Sequence, residues 1–365
     1  MRRSTISGSL LTLFLYDVGD AIRLDELRKT LGVPPPGREP PFRQPAPEYV
    51  QFAKPPVVES LPPIAVREGC KFGVRLTYYD YGVVTIQLEL PFDGTWEDVI
   101  ALTARWMNAP ELEQRAAAAV RDRLVGAGSA IVNAYREHLT EDYSIVHLRT
   151  VRDDSGVVLT ARQLIEHCPD YIAQIVRGET AVFSATEQAE ILESRMSYYQ
   201  EDLLVVGWSA ALVYDTPEGA APTIRLLEYA NTQLLEFRHY DGVLTALLSE
   251  VYRKLERGGI LARWRMARDA ERVSTIRLDV RELTEQVDNS IKFLSDMFAA
   301  RLYRMAAAKI GVPDYRTLVE QKLESVGELY SFMMDRFYQG RAFALELMVV
   351  IILVIELVFL FRGIH

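Results

Sequence analysis

The end of the chain carries its most restrictive feature, an almost unbroken apolar run of twenty residues. Residues 342–361 read AFALELMVVIILVIELVFLF. A helix rises about 1.5 Å per residue, so this run would be about 30 Å long, which is the thickness of the hydrocarbon core of a bilayer. Arg341 and Arg362 flank the run and could hold their charges among the headgroups. The sequence therefore predicts a C-terminal transmembrane anchor.

Two carboxylates, Glu346 and Glu356, interrupt this run near its edges. A charge at the centre of a bilayer costs about 2.5–3.5 kcal/mol, which the apolar neighbours would offset. The two glutamates could also face a protein interface inside the membrane, which would imply oligomerisation. The alternative is a helix buried in a protein core, which would have to surround it on all sides. With only four residues after the run, the anchor predicts a tail-anchored protein at the inner membrane with its bulk in the cytoplasm.

Composition and motifs point away from several classes of protein. The net charge of −9 and the pI of about 5.3 argue against a nucleic-acid-binding protein, and against DNA as a partner. The two cysteines, Cys70 and Cys168, form no paired motif, so neither disulfides nor a zinc site is expected. No phosphate loop, nucleophile elbow or zinc helix is recognisable. We therefore predict no catalytic residue, cofactor or metal, and an enzyme is not expected.

The first part of the chain alternates between strand-like and helix-like patterns. Strands are predicted at 9–17, 74–79, 83–90 and 143–148, although the first could instead belong to a signal peptide. A short helix follows the first strand, with Asp20 as its cap and Gly32 as its stop, and a capping-box start at Thr95 opens another. This order of elements is that of a split βαβ unit, so the predicted fold class is α+β with a ferredoxin-like head.

Proline interrupts this pattern between residues 34 and 63, which hold eleven of the seventeen prolines. Such a segment cannot form a helix or a central strand, so we expect an extended excursion over the surface. It would serve as a spacer or as a ligand for an aromatic groove.

The later part of the chain predicts buried strands and then long helices. Residues 202–215 form one or two strands, Pro222 begins a helix to about residue 256, and a second helix runs from about 281 to 310. Gly311 ends that helix, and the next runs on into the anchor, so the two would form an antiparallel, coiled-coil-like hairpin. The predicted organisation is a head at 1–33 and 67–221, a Pro-rich excursion at 34–66, a helical stalk at 222–341 and an anchor at 342–361.

Three segments and the terminal apolar run together carry a resemblance to a known family. The segments are the hairpin YDYGVV (79–84), DLLVVGWSAALVYD (202–215) and EYANTQLLEFRHYD (228–241). They resemble the "required for meiotic nuclear division" family, whose domain has no known function. The resemblance implies membrane association, self-assembly and, for mitochondrial members, support of translation. No catalytic residue is carried over. Thr85 departs from the aromatic pair with which the family commonly continues the hairpin.

The helix after residue 222 carries more polar residues than a surface helix needs. Glu228, Thr232 and Glu236 share one face, and apolar residues fill most of the rest, so some of the polar groups should be buried and paired. Two interpretations stay open. In a structural network, Arg238 would bridge to Glu236 or Asp241. In a small-molecule pocket, which would serve a sensor or an enzyme, the lining would come from residues between 229 and 241.

In the network interpretation, Asn231 would also bond strand backbone near Trp208. In the pocket interpretation, Tyr229, Asn231, Arg238 and Tyr240 would line the site. The candidate polar residues are Trp208, Asp215, Glu228, Asn231, Gln233, Glu236, Arg238, Tyr240 and Asp241.

A basic stretch follows this helix in an otherwise acidic protein. Arg257, Arg263, Arg265 and Arg268 could contact anionic lipid or ribosomal RNA, or they could simply solvate a helix. The function that the sequence favours is a self-associating membrane scaffold, a homo-oligomer in contact with the lipid bilayer. A ligand sensor or enzyme and a membrane tether for translation are the alternatives.

Overall fold

The computed structural model describes residues 4–33, 55–67, 69–257, 275–282, 285 and 297–363. The chain divides into two compact units. Unit 1 consists of Met1–His239 and Thr284–Tyr315, and unit 2 consists of Tyr240–Leu283 and Arg316–His365.

Ten strands are described. They are β1 (Thr5–Asp17), β2 (Ala21–Ile22), β3 (Val57–Arg67), β4 (Cys70–Tyr78), β5 (Val83–Gly94), β6 (Ile131–Val132), β7 (Leu139–Arg152), β8 (Arg195–Met196), β9 (Leu203–Val206) and β10 (Ala210–Tyr214).

The helices of the described residues are α1 (Leu24–Leu31), α2 (Trp96–Trp106), α3 (Pro110–Ala127), α4 (Ala161–His167), α5 (Pro169–Arg177), α6 (Ala185–Glu193), α7 (Pro217–Arg257), α8 (Met297–Ile310) and α9 (Val312–Arg362). Residues 275–282 are also helical.

Unit 1 is built on one large mixed sheet. Eight strands follow the order β3-β4-β5-β1-β7-β10-β9-β8, while β2 and β6 form a separate two-stranded sheet. The first strand, β1, lies inside the sheet and pairs antiparallel with β5 on one side and β7 on the other. The strand β10 runs parallel to β7, whereas the other described pairs are antiparallel.

The two faces of this sheet have different chemistry, because side chains alternate along each strand. One face of β1 presents Ile6, Leu10 and Phe14 to an apolar core shared with α2, α3 and α5. Phe72 of β4 meets Trp106 of α2 edge to face in that core, with ring centroids 5.2 Å apart. The opposite face carries a larger share of polar residues, and α7 packs against it.

Local signals in the sequence were read correctly at several element ends. Thr95 caps α2, and its hydroxyl and the Asp98 carboxylate form the reciprocal bonds of a capping box. Gly32 ends α1 in the left-handed conformation, with φ of 65°. Asp20, however, does not cap α1, because the N-cap residue of this helix is Arg23. The two-residue strand β2 lies between Asp20 and the helix.

The ferredoxin-like fold class is wrong, because the sheet has eight strands and is mixed. Strand β3 contains Pro62 and Pro63 inside the segment predicted as a surface excursion. This strand lies at the edge of the sheet. Its outer side has no neighbouring strand, so a proline, which lacks an N–H group, breaks no hydrogen bond there. At the other end, β8, β9 and β10 join the same sheet through the parallel pair with β7. Residues 34–54 of the predicted excursion lie outside the described residues.

The helix predicted from Pro222 begins five residues earlier, at Pro217, so Pro222 lies inside α7. Pro217 occupies the first position of the helix, where a missing N–H group costs no hydrogen bond, whereas Pro222 lies beyond the first turn. Gly311 separates α8 from α9 with φ of 98°, at the predicted break.

Unit 2 has a small apolar core of its own from the helical segments that it contains. Its buried apolar residues are Leu244, Leu247, Ile276, Val280, Val319, Leu323 and Val326. The Lys322 ammonium of α9 bonds the Asp241 carboxylate of α7 at 2.5 Å and the Thr245 hydroxyl at 2.6 Å.

The predicted transmembrane helix at 342–361 is not supported. No helix in the part of the chain that the structure describes is both long enough and apolar enough to cross a membrane. The described side chains of that segment begin at Glu346, and residues 346–363 hold Glu346, Glu356 and Arg362. Each charge adds a cost of about 2.5–3.5 kcal/mol near the centre of a bilayer. This finding corrects the single-pass anchor, the membrane assignment and the inner-membrane localisation.

Candidate functional site

Helix α7 brings a row of polar side chains against the sheet of unit 1. Glu228, Thr232 and Glu236 follow the spacing of four residues that puts them on one face, and all three are buried. The strands below contribute buried Thr77, Thr85 and Gln87, and Asp17 ends β1 on the same face. We call the region between α7 and this face the polar layer.

Glu228 is the centre of the first half of the polar layer. The hydroxyl groups of Thr77, Tyr79 and Thr85 surround its carboxyl group, and the Arg75 guanidinium lies near enough to act on it. Burial raises the pKa of Glu228, and the positive charge and the hydroxyl groups oppose this rise. Glu228 in turn helps burial to raise the pKa of Tyr79. Burial and the neighbouring polar groups therefore act in opposite directions on this carboxyl group, and burial has the larger effect.

Tyr81 ties the turn between β4 and β5 to the same helix. Its hydroxyl group lies 2.8 Å from the Thr232 hydroxyl group. Thr232 donates its own proton to the Tyr229 carbonyl oxygen at 2.7 Å, so Tyr81 is the donor to Thr232. The rings of Tyr79 and Tyr81 stack with centroids 5.3 Å apart. The hairpin that the family resemblance singled out therefore docks on α7.

The second half of the polar layer is acidic. Burial raises the pKa of Glu236 well above its usual range, and the charges of Asp17 and Asp20 raise it further. His239 Nδ1 lies 2.5 Å from an Asp17 carboxylate oxygen. The Tyr135 ring stacks on His239, with centroids 5.1 Å apart, and its hydroxyl group donates to Asp20 at 2.6 Å.

The predicted partners of two residues differ from the observed ones. Asn231 donates to the Leu227 carbonyl oxygen of its own helix at 2.8 Å, and not to strand backbone near Trp208. Arg238 pairs with Glu141 of β7, and not with Glu236 or Asp241. The spacing on α7 gave no information on Glu141, which belongs to a distant part of the sequence.

Other candidates lie away from the polar layer. Trp208 is 59% exposed in the turn between β9 and β10. Asp215 follows β10 and accepts a bond from the Thr216 amide at 2.6 Å. Tyr240 and Asp241 belong to unit 2.

Gln233 is fully buried on α7, and its side-chain amide finds no hydrogen-bond partner among the residues that the structure describes. Of the basic stretch, Arg257 is the last residue of α7, whereas Arg263, Arg265 and Arg268 lie outside the described residues.

Sequence reasoning missed the strand side of the polar layer. Asp17, Thr77 and Glu141 come from three strands, and nothing in their local pattern connects them to a helix more than 70 residues later. One signal was available for Asp17, because a carboxylate directly after the apolar run of β1 is costly to bury without a partner.

The two buried carboxyl groups of the polar layer share a raised pKa. Burial shifts Glu228 and Glu236 in this direction, and a protonated carboxyl group donates one hydrogen bond and accepts others. Within the described ranges, no group of three or more His, Cys, Asp or Glu side chains is arranged to hold a metal ion. The arrangement can fix α7 to the sheet and can respond to pH.

Comparisons with known proteins identify relatives for the first part of the chain. A family model described as "Uncharacterized protein MJ0711, N-terminal domain" matches residues 7–221. The uncharacterized protein MJ0711 of Methanocaldococcus jannaschii is 22% identical over 172 residues, which are 46% of this chain and 52% of that protein. The chain thus spans about half the length of this curated relative. No solved structure gives a significant match.

Proposed function

We propose that this chain, which belongs to the family of the uncharacterized protein MJ0711, N-terminal domain, is a non-catalytic scaffold that assembles with further copies of itself. The observation that carries the proposal is an exposed apolar segment in α9. We call residues 346–362 the apolar segment.

The apolar segment leaves an unusual amount of hydrocarbon uncovered. Its exposed apolar side chains are each 49–65% exposed, and they point around the whole circumference of the helix. They are Leu347, Met348, Val349, Val350, Ile351, Ile352, Leu353, Val354, Ile355, Leu357, Val358 and Leu360. A helix that is apolar on all sides requires cover on all sides.

The exposed area is large enough for a stable interface. A fully buried aliphatic side chain removes roughly 60–120 Å² from water, so a dozen half-exposed ones amount to several hundred Å². That is at the upper end of the roughly 300–600 Å² that a monomer leaves exposed in its largest apolar patch, and it approaches the roughly 800 Å² per partner of a standard interface.

A second copy is the partner that matches the apolar segment in length and in chemistry. Glu346 lies at one end, Arg362 at the other and Glu356 between them. If two copies pair antiparallel through a face that leaves these charges outside, their apolar residues meet along the helix, and further copies can cover the remaining apolar faces. Such a pair is symmetric and self-complementary.

Sedimentation velocity of the full-length protein, without detergent and over a range of concentrations, tests the proposal. We expect dimers or larger assemblies, and a weakening of association by tenfold or more in Leu353→Lys, because a buried charge would lie at the interface. Val125→Lys is the matched control, since Val125 is 86% exposed on α3, and it should leave association unchanged.

Two outcomes would contradict self-assembly. One is a wild-type protein that stays monomeric at every concentration. The other is a monomer that remains in solution only when added detergent covers the apolar segment. A dimer that is equally stable in Leu353→Lys would leave assembly intact but reject the apolar segment as its surface.

The finer affiliation, with the "required for meiotic nuclear division" family, is also a proposal. The segments 202–215 and 228–241 support it, as does the docking of Tyr81 on Thr232, because the hairpin and the helix of the resemblance meet there. Self-assembly is what that resemblance implies.

A second candidate function, a small-molecule sensor, is favoured by Gln233. A buried amide without a partner in the described chain is costly, and a bound polar molecule would satisfy it. Native mass spectrometry of the purified protein tests this alternative. A co-purifying molecule that is lost in Gln233→Leu would support it, and a bare polypeptide mass would count against it.

A further inference from the structure

A cleft on the other side of the sheet from α7 has the features of a binding site. It lies where β1 and β7 meet the turn between α2 and α3, and its volume is about 150 Å³. A cavity of that size is known to hold a benzene molecule, so it suits about six non-hydrogen atoms. The lining residues are Phe14, Tyr16, Asn108, Ala109, Glu113, Thr140, Glu141 and Asp142.

The Tyr16 hydroxyl group is unsatisfied in this cleft. Tyr16 is 4% exposed, and its hydroxyl group has no hydrogen-bond partner among the described residues. A buried polar group without a partner costs about 1–3 kcal/mol, so such groups are rare unless water or a ligand completes them. The even-numbered positions of β1 point to this face, which directs Tyr16 into the cleft.

The cleft is also negative. Glu113 and Asp142 have no basic partner within the described ranges, whereas Glu141 is paired with Arg238. Asp142 is exposed at the mouth of the cleft, where partial desolvation and then the charge of Glu113 raise its pKa. Burial and then the charge of Glu113 raise the pKa of Tyr16, and Arg121 opposes this rise.

We propose that this cleft binds the ammonium group of a small organic amine. The cation would lie between the carboxylates of Glu113 and Asp142 and donate a hydrogen bond to the Tyr16 hydroxyl oxygen. Its carbon chain would pack against the apolar rings of Phe14 and Tyr16. The volume limits the ligand to about six non-hydrogen atoms.

Isothermal titration of the full-length protein with butylammonium tests this proposal, with 1-butanol as the neutral probe of the same chain length. We expect saturable binding of butylammonium, with a Kd on the order of 1 mM, and much weaker binding of 1-butanol. Glu113→Gln should weaken butylammonium binding about tenfold, because it removes one charge-assisted bond. Glu113 is exposed on α3, so this variant should fold.

Tyr16→Phe keeps the ring and removes the hydroxyl group, and it should weaken binding a few-fold. Glu166→Gln is the matched control, because Glu166 is an exposed carboxylate on α4 that does not line the cleft. Equal binding of butylammonium and 1-butanol, or an unchanged affinity in Glu113→Gln, would overturn the proposal. So would the absence of saturable butylammonium binding up to about 50 mM.

Discussion

Glu228 and Glu236 show which properties of a residue could be predicted from its position in the sequence. Their spacing of four predicted one shared face of a helix, and their apolar neighbours predicted burial, and both residues are buried in α7. The groups that set their pKa values come from elsewhere in the chain. Thr77 and Asp17 reach them only because the sheet folds under the helix, and helical periodicity holds no information on that contact.

The raised pKa of Glu236 predicts a pH dependence of stability. In the unfolded chain this carboxyl group titrates near 4.5, whereas in the folded protein it keeps its proton to a higher pH. Its contribution is therefore fully present below about pH 4.5 and is lost as pH rises through the folded pKa. Glu236→Gln, which is always neutral, should be more stable than wild type at pH 8, by on the order of 1 kcal/mol or more.

Urea unfolding of both proteins between pH 4.5 and pH 8 measures this difference. The gap in the free energy of unfolding should grow with pH. Glu218→Gln, an exposed residue near the start of the same helix, should show no such growth. A gap that stays constant with pH would mean that Glu236 is ionised in the folded protein.

At the scale of elements, chemistry at helix and strand ends was more predictable than the partners of the elements. The capping box at Thr95 and the left-handed Gly32 each need only a few neighbouring residues, so the sequence revealed them. The start of α7 was misplaced because two prolines, Pro217 and Pro222, both suit a first turn. Strand β3 was missed because its two prolines argued against a central strand, and an edge strand, which tolerates proline, was not considered.

The turn between β4 and β5 provides a sharp prediction for a single element. Gly82 has φ of 93°, and a Cβ atom there would lie 1.8 Å from the Gly19 carbonyl oxygen. Gly82→Ala should therefore destabilise unit 1 by about 3 kcal/mol or more, since both the backbone and a neighbouring strand end must shift. Chemical denaturation followed by circular dichroism measures the loss.

Gly73→Ala on β4 is the matched control. A Cβ atom at Gly73 would meet nothing closer than the Glu89 carbonyl oxygen at 3.8 Å, so this variant should be neutral or slightly stabilising. Equal effects of the two substitutions would show that the close approach of Gly82 to Gly19 does not constrain the fold.

For the whole molecule, the sequence predicted a small α/β head and an anchor, and both predictions required correction. The sequence predicted four strands and one or two more at 202–215, but it did not predict that these strands join β3 and β8 in one eight-stranded sheet, in which β10 pairs in parallel with β7 across an intervening run of helices. Pairing over such a distance depends on packing and not on local pattern. The apolar segment was judged by its length and hydrophobicity, although Glu346, Glu356 and Arg362 count against a spanning helix.

Self-assembly predicts a specific change in backbone protection. In the assembled protein, amide hydrogens of residues 346–360 should exchange more slowly than in Leu353→Lys, because contacts between copies suppress local opening of α9. Hydrogen–deuterium exchange with mass spectrometry reports this for each peptide. Peptides from β1 should exchange alike in both proteins. Equal exchange of the apolar segment in the two samples would argue against its burial between copies.

The central place of β1 has a consequence for how the polypeptide emerges from the ribosome. This strand leaves the exit tunnel before its two neighbours, β5 and β7, which are complete only at Gly94 and Arg152. During that interval its thirteen largely apolar residues have no ladder to join, a state that invites chaperone capture or aggregation. Nascent chains arrested before β7 should therefore be more sensitive to protease than chains arrested after β10.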